Sequence, residues 1–370
     1  MTPFQFTTTP TIRCAEGASG ELADLFAGAA HVGVVTDATI RRLGLDVPAM
    51  DALRGAGLAV TVFDGVLPDP TEAMLSEACA ALAGCDAVLG LGGGSPLDIA
   101  KMVAVRLASD QPLGEMYGVG NVTGGRLPLV LVPTTAGTGS EVTPISILTT
   151  ATNEKMGVVS TVLLPDAAVL DPLLTLGLPR SETAATGIDA MVHAIEAFTS
   201  RLRKNPLSDM LAEQALRLLG ANILTVCERP EDADARGAML LGSCLAGQAF
   251  SNAPVAAVHA LAYPLGGQFK VTHGLSNCLV LPEVVAFNMP EAEAHYAHLS
   301  GILFDGKPLP QGFRDLARQT GLPTTLREVG VSEGDLDALA TDAMKQTRLL
   351  VNNPREMTYE AARAIYEAVL

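Results

Sequence analysis

Four side chains in the second half of the sequence have the chemistry and spacing of a site for a divalent metal ion. Asp189 and His193 are four residues apart in a segment with helical periodicity, so a helix would present both on one face. His259 and His273 lie in a later, largely apolar motif, where an imidazole needs a polar partner. One carboxylate and three imidazoles suit Fe²⁺ or Zn²⁺ and leave room for a substrate oxygen. Each histidine alone is better explained as a hydrogen-bonded core residue, but four candidates in three motifs favour a metal site.

A glycine-rich loop in the first half of the sequence is typical of phosphate binding. The run Gly92-Gly-Gly-Ser95 follows an apolar segment that predicts a strand, and Pro96 and Asp98 indicate that a helix begins there with Ser95 as its N-cap. The N–H groups and the positive dipole end of such a helix attract a pyrophosphate. A tight turn without a ligand is the alternative, because the run matches neither common glycine-rich phosphate motif.

A second loop and one aspartate add weight to nucleotide binding. Residues 133–143 are rich in glycine and hydroxyl side chains and follow a predicted strand at residues 127–132, so two loops at strand ends can hold one cofactor. Asp37 directly follows the first strand of the pattern. There a carboxylate accepts hydrogen bonds from an adenosine ribose and repels a 2′-phosphate, which favours NAD over NADP. Asp37 is equally well explained as the N-cap of the next helix.

Two halves with different residue patterns carry these motifs. In the first half, short β-branched apolar runs at residues 31–36, 58–63, 86–91 and 127–132 alternate with helical segments, which predicts a mainly parallel sheet. Residues 144–149 and 156–160 indicate an inserted hairpin. Beyond residue 178 the strand signals largely vanish and helical periodicity continues to the C-terminus. We therefore expect an α/β domain over residues 1–178 and an all-helical domain over residues 179–370.

The composition narrows the class of protein and of partner. The chain has 370 residues, 48% apolar and 17% charged, with a formal net charge of −16, so it has the core of a folded protein and would repel nucleic acid and anionic membranes. Six cysteines without a C-x-x-C pair fit a reducing compartment. The N-terminus lacks the pattern of a signal peptide, and no apolar stretch approaches the length of a membrane span. We expect a cytoplasmic protein that binds a small molecule, with neither nucleic acid nor membrane as partner.

The motifs together resemble the iron-containing (group III) alcohol dehydrogenase family. The similarity extends over nearly the whole chain and rests on four motifs in the family's order: residues 92–98, 133–143, 184–193 and 273–277. It implies a dehydroquinate synthase-like architecture, with a dinucleotide-binding α/β domain, a helical metal-binding domain and a cleft between them for NAD(P). The implied enzyme is an NAD(P)-dependent alcohol dehydrogenase or aldehyde reductase (EC 1.1.1.-) that transfers hydride between nicotinamide and a small alcohol or carbonyl compound. Relatives commonly form homodimers, so we expect a homodimer or higher homo-oligomer.

The resemblance also assigns roles to residues. It implies that Asp189, His193, His259 and His273 bind the metal, Fe²⁺ being favoured and Zn²⁺ suiting the same ligands, and that catalysis runs through this metal. The cofactor contacts that it implies are Asp37, Gly93, Gly94, Ser95, Asp98, Thr134, Thr135, Thr138, Lys155 and Phe250.

The sequence departs from the family at two positions. Tyr263 stands where many relatives have a further histidine, and its hydroxyl could relay a proton or contact substrate, or the ring could simply fill the pocket. Lys270 also replaces a histidine of several relatives and is better explained as a solvated side chain than as a contact for an anionic substrate. Two other functions stay open: a metal-dependent lyase or synthase of the same architecture, and a relative without catalytic activity.

Overall fold

The computed structural model describes residues 3–152 and 154–370. The chain divides into two compact units. The first, called here the α/β unit, comprises residues 7–135 and 139–176. The second, called the helical unit, comprises residues 177–370 together with residues 136–138 and the described residues 3–6.

The α/β unit contains nine strands and five helices among the described residues. The strands are β1 (Thr11–Cys14), β2 (His31–Val35), β3 (Ala59–Phe63), β4 (Ala87–Gly92), β5 (Gly118–Val119), β6 (Leu129–Pro133), β7 (Ile145–Thr149), β8 (Lys155–Val159) and β9 (Ala167–Leu170). The helices are α1 (Ala38–Leu43), α2 (Val47–Gly55), α3 (Glu72–Ala81), α4 (Gly94–Arg106) and α5 (Leu113–Met116).

Six of these strands form one parallel sheet in the order β1-β9-β6-β4-β2-β3. Strands β4 and β6 are buried along their whole length, as expected for Val- and Leu-rich strands that are covered on both faces. Successive residues point to opposite faces, so Val88 joins one apolar core and Leu89 the other. The predicted parallel sheet is therefore confirmed.

The predicted inserted hairpin is confirmed as well. Strand β7 pairs antiparallel with β8, and β5 completes a separate three-stranded sheet in the order β5-β8-β7. A short 3₁₀ helix, Ser140–Val142, lies between β6 and this hairpin.

The helical unit is built from nine helices in its described residues. They are α6 (Arg180–Thr199), α7 (Pro206–Glu228), α8 (Ala233–Asn252), α9 (Ala257–Phe269), α10 (His273–Phe304), α11 (Leu309–Thr320), α12 (Leu336–Met344), α13 (Thr347–Leu350) and α14 (Tyr359–Val369). Helix α10 bends at Ala292, whose backbone is not helical. Helix α6 is buried almost throughout, and α7, α8 and α10 pack around it. Within the described residues, no helix has both the length and the apolar character required to cross a membrane.

Candidate functional site

Three helices of the helical unit bring together the four side chains that the sequence singles out as metal ligands. Asp189 and His193 lie one turn apart on α6, His259 lies in the first turn of α9, and His273 is the first residue of α10. One potential ligand atom from each residue lies within 4.8 Å of those of the other three. Three of the side chains are buried, whereas that of His273 is 41% exposed.

Small residues allow the helices to approach this closely. Gly274 follows His273 at the start of α10, and a Cβ atom there would overlap the backbone carbonyl group of Ala185 on α6. Since only glycine has no Cβ, this position permits the backbone of α10 to contact that of α6. The contact places His273 beside the α6 carboxylate, with its Nε2 atom 3.6 Å from Asp189 Oδ1.

The centre of the cluster holds more hydrogen-bond acceptors than donors. The Asn277 Nδ2 amide lies 2.6 Å from Asp189 Oδ1 and 3.3 Å from both His259 Nε2 and His273 Nε2. An amide group has only two hydrogens, so it cannot satisfy three acceptors at once. Asn277 Oδ1 is itself buried and has no hydrogen-bond partner among the described residues. This surplus of lone pairs from oxygen and imidazole nitrogen fits a divalent cation.

Two of the imidazoles face hydrogen-bond acceptors with their Nδ1 atoms. His193 Nδ1 lies 3.2 Å from the backbone oxygen of Gly137, and His259 Nδ1 lies 2.6 Å from Glu196 Oε2. Because an acceptor faces Nδ1 in each ring, that atom carries a hydrogen, and Nε2 is the atom that faces the other potential ligands. Burial lowers the pKa of His193 to about 3, so its ring is neutral. Burial alone would raise the pKa of Asp189, but the three imidazoles and Asn277 hold it below its ordinary value.

Two aromatic side chains flank the cluster. The ring of Phe250 stacks on that of His193, with 4.3 Å between centroids, and Phe250 is buried. The ring of Tyr263 lies one turn beyond His259 on α9, with its centroid 6.0 Å from that of His273. Tyr263 therefore stands on the side of the cluster where the exposed imidazole lies.

The glycine-rich loop of the α/β unit connects β4 to α4, as predicted, but the expected N-cap is wrong. Helix α4 begins at Gly94 with Gly93 as its N-cap, so Ser95 and Pro96 lie within the first turn. The cause is Gly92, whose φ of +152° suits only glycine and whose added Cβ would lie 2.7 Å from Pro96 Cγ. No side chain of the described chain caps this helix, so its first N–H groups face the loop.

The carboxylate of Asp37 uses its two oxygens differently. Oδ1 accepts hydrogen bonds from the backbone N–H groups of Thr39 and Ile40, at 2.8 and 3.0 Å, and so caps α1. Oδ2 faces the glycine-rich loop, 3.6 Å from the position that a Cβ of Gly92 would occupy. The capping role is therefore observed, and the second oxygen is left facing the glycine-rich loop.

The second loop lies beside the first in the α/β unit. The backbone N–H group of Thr134 donates to the carbonyl oxygen of Gly92 at 2.9 Å, and the Thr135 side chain lies 3.7 Å from a Cβ built on Gly93. The structure thus brings Asp37, Gly93, Gly94, Ser95, Thr134 and Thr135 to one edge of the sheet. Thr138 belongs to the segment that clusters with the helical unit, and Lys155, at the start of β8, is paired with Asp69 at 2.5 Å.

Asp98 links the two loops. Its carboxylate accepts hydrogen bonds from the Ser140 hydroxyl at 2.7 Å and the Ile147 N–H group at 2.9 Å, and lies 3.3 Å from Lys101 Nζ. The Lys101 side chain is fully buried and donates to Ser140, Thr143 and the Ile145 carbonyl. Burial lowers the pKa of Lys101, against the opposing effect of Asp98. Asp98 therefore joins α4 to the second loop instead of capping the helix.

Glu141, in the second loop, is a buried carboxyl group. Its side chain is 1% exposed, and its Oε1 atom has no hydrogen-bond partner in the described part of the chain. Burial raises the pKa of Glu141 from 4.5 to about 7, although Lys101 acts in the opposite direction. A neutral carboxyl group at this position is therefore favoured below pH 7.

Sequence reasoning missed two side chains that contact the four candidate metal ligands. Glu196 is the only acidic residue in an otherwise apolar turn of α6, seven residues after Asp189 and so on the same face of the helix. Asn277 follows His273 by four residues, one turn along α10. In both cases the residue lies one helical turn after a predicted ligand, His193 or His273. Following the helical spacing one turn further along the sequence would have identified it.

Comparison with known protein families identifies two matching models that together cover most of the chain. The model described as iron-containing alcohol dehydrogenase matches residues 9–172, and the C-terminal model of the Fe-containing alcohol dehydrogenase family matches residues 183–370.

Individual proteins similar to this chain include several named dehydrogenases and reductases. Long-chain-alcohol dehydrogenase 1 of Geobacillus thermodenitrificans is 41% identical over 359 residues, which are 92% of this chain and 90% of that protein. Sulfoacetaldehyde reductase of Bilophila wadsworthia is 35% identical over 350 residues, 90% of each chain. Among solved structures, that of a 1,3-propanediol oxidoreductase has a TM-score of 0.96 at 32% identity and covers 100% of both chains. A sulfoacetaldehyde reductase of Bifidobacterium kashiwanohense in complex with NAD⁺ has a TM-score of 0.91 at 28% identity, covering 100% of this chain and 99% of that one.

Proposed function

Because the chain belongs to the iron-containing alcohol dehydrogenase family, we propose that Asp189, His193, His259 and His273 bind the divalent metal of an NAD-linked alcohol dehydrogenase or aldehyde reductase. The family membership makes the chain an oxidoreductase that transfers hydride between a nicotinamide cofactor and an alcohol or carbonyl compound. The assignment of these four residues is our own and rests on their geometry.

One observation carries the proposal: an acidic oxygen and three imidazole nitrogens converge on a point where acceptors outnumber donors. A divalent metal held there supplies Lewis-acid catalysis, which lowers the pKa of a substrate hydroxyl group. Asp189 contributes the charge, and the Nδ1 contacts of His193 and His259 keep their Nε2 lone pairs available. Phe250 excludes water from the buried side of His193.

The residues of the α/β unit would bind the cofactor, which supplies the hydride acceptor. In this proposal the first turn of α4, with Gly93, Gly94 and Ser95, binds the pyrophosphate through its N–H groups. Asp37 accepts hydrogen bonds from the adenosine ribose through Oδ2, and Asp98 holds the loop in place. The remaining contacts in the proposal are those of Thr134, Thr135 and Lys155 in this unit and of Thr138 and Phe250 in the helical unit.

Several further features of the protein belong to the same proposal. The named relatives act on long-chain alcohols, 1,3-propanediol and sulfoacetaldehyde, which supports an aliphatic alcohol or aldehyde as substrate. We assign dinucleotide binding to residues 1–178 and metal binding to residues 179–370. The six cysteines are all free thiols, which supports a cytoplasmic location. A homodimer or higher homo-oligomer is the expected assembly.

The test is NADH oxidation by chelator-stripped protein that is reloaded without oxygen with either Fe²⁺ or Zn²⁺. The substrates are a short-chain aldehyde, a long-chain aldehyde, 3-hydroxypropanal and sulfoacetaldehyde. Each reaction is monitored by the absorbance of NADH. We expect one metal to restore turnover and the panel to rank the substrate class. If metal and cofactor both bind but no aldehyde oxidises NADH, the chain is a lyase, a synthase or a protein without catalytic activity.

A further inference from the structure

Helix α6 carries a second buried carboxylate on the face that bears Asp189 and His193. Glu196 is 4% exposed, and both of its oxygens are engaged at the start of α9. Oε1 accepts a hydrogen bond from the Val258 N–H group at 2.7 Å, and Oε2 lies 2.6 Å from His259 Nδ1. One side chain of α6 thus fixes both the first turn of α9 and the ring of a residue on α9.

No basic side chain balances this carboxylate. Within residues 3–152 and 154–370, the ion-pair partner of Glu196 is His259, and no lysine or arginine forms a salt bridge with it. Asp189 and Glu196 thus place two carboxylates in a largely buried cluster in which they face imidazoles and no lysine or arginine among the described residues. A divalent cation bound by the cluster would balance those charges, and buried carboxylates without such compensation are costly.

We propose that Glu196 is a positioning residue for the metal, a role that rests on the proposed function of the cluster. It holds the hydrogen of His259 on Nδ1, orients the ring, and so directs the Nε2 lone pair to the metal. Among the described residues, the partner of His193 Nδ1 is a neutral carbonyl group, that of Gly137. Of the two Nδ1 contacts, that of His259 is therefore the one made with a carboxylate. This contact makes His259 Nε2 the stronger electron-pair donor to the cation.

The substitution Glu196→Gln separates charge from shape, because the glutamine amide cannot reproduce both contacts. If its oxygen faces Val258 N–H, its NH₂ group faces His259 Nδ1 and stabilises the tautomer whose hydrogen is on Nε2, where the metal must bind. If its oxygen faces His259, its NH₂ group opposes the Val258 N–H group, donor against donor. Either orientation weakens metal binding.

The experiment measures Co²⁺ and Zn²⁺ binding by the full-length protein after removal of metal with a chelator. We expect E196Q to bind Co²⁺ about 10- to 100-fold more weakly than the unaltered chain and to show a changed visible spectrum, as for loss of comparable outer contacts. The matched control is Glu213→Gln, which removes a carboxylate from an exposed pair with His298, 3.0 Å apart. E213Q should match the unaltered chain in affinity and spectrum.

A thermal readout distinguishes positioning from a purely structural role. A structural role would lower the melting temperature of the metal-free and Zn²⁺-loaded forms equally. A positioning role reduces the rise in melting temperature that Zn²⁺ produces, because that rise follows the affinity. Glu196→Asp keeps the charge at a shorter reach, so we expect a Co²⁺ affinity between those of the unaltered chain and E196Q.

Each outcome decides the proposal. Unaltered Co²⁺ affinity and spectrum in E196Q would overturn the positioning role while leaving the metal site intact. Should E196Q fail to fold, E196D carries the test, and unaltered affinity and spectrum there would likewise overturn the role. If the unaltered chain itself binds neither Co²⁺ nor Zn²⁺, the proposed function fails together with this inference.

Discussion

Selection of the cofactor by Asp37 can be separated from its capping of α1 by two substitutions. In Asp37→Asn the amide oxygen can still accept from Thr39 and Ile40, but the negative charge that Oδ2 presents to the glycine-rich loop is removed. In Asp37→Ala both the charge and the cap are lost. We expect both variants to accept NADPH better, and only the alanine variant to lose stability.

The size of each effect follows from the geometry. A carboxylate and a phosphate charge ~5 Å apart repel by about 3 kcal/mol at an effective dielectric constant of ~20. Salt screens part of this repulsion, which leaves about 1.4–3 kcal/mol, or roughly 10- to 100-fold in the NADPH/NADH ratio of kcat/KM. Loss of the cap costs about 1 kcal/mol, which lowers the melting temperature by roughly 2–4 °C for a domain of ~150 residues.

The assay measures kcat/KM for NADH and NADPH with one aldehyde at low and at physiological ionic strength, together with the melting temperature. A ratio that stays the same in both variants would place the ribose away from Asp37 Oδ2. Equal losses of melting temperature in the asparagine and alanine variants would show that the Oδ1 contacts with α1 do not stabilise the fold.

The other predictions concern the metal cluster and the buried carboxyl group. Asp189→Ala should abolish metal retention, measured by elemental analysis, and turnover, while NAD binding stays measurable; full activity would remove Asp189 from the ligand set. Tyr263→Phe should lower kcat by ~10²-fold with a changed pH profile if the hydroxyl relays a proton, whereas a loss equal at every pH would assign the ring to packing. Because the folded-state pKa of Glu141 is raised from 4.5 to about 7, its contribution to stability is complete below pH 4.5 and is lost as the pH rises through about 7. Glu141→Gln lacks that loss, so at pH 8 it should be more stable to denaturant by up to about 3 kcal/mol, and a difference that does not vary between pH 5 and 8 would contradict this reasoning.

The parallel sheet and the grouping of Asp189, His193, His259 and His273 could be predicted because the residue patterns that indicate them lie in short stretches of sequence. The β-branched runs that became β2, β4 and β6 are local, and so is the spacing of Asp189 and His193 on one helical turn. The two distant members, His259 and His273, could be singled out because a histidine in apolar sequence is conspicuous. These patterns can be recognised without knowing which residues are in contact in the folded protein.

The contacts that sequence reasoning missed depend on pairs far apart in the chain. Glu196 meets His259 across 63 positions, and Lys101 meets Ser140 across 39, so neither partner is visible from the other's neighbourhood. A single glutamate in a helix is ordinarily a solvated residue, but this one is buried, with both oxygens bonded to residues in the first turn of α9. The wrong N-cap has another cause: Ser95 and Pro96 favour the expected start, but the positive φ of Gly92 lets the helix begin two residues earlier.

The four proposed metal ligands are unevenly buried, which has a consequence for the exchange of a bound ion. The Asp189, His193 and His259 side chains are sealed in the protein, whereas 41% of the His273 side chain is open to solvent. For a metal ion bound by these four side chains, as proposed above, His273 at the start of α10 would be the ligand that a chelator or an oxidant in solution reaches most readily. In an iron-loaded enzyme, the exposure of His273 would then determine how fast oxygen inactivates the protein. Bulky residues placed around His273 would slow this inactivation without altering the three buried side chains.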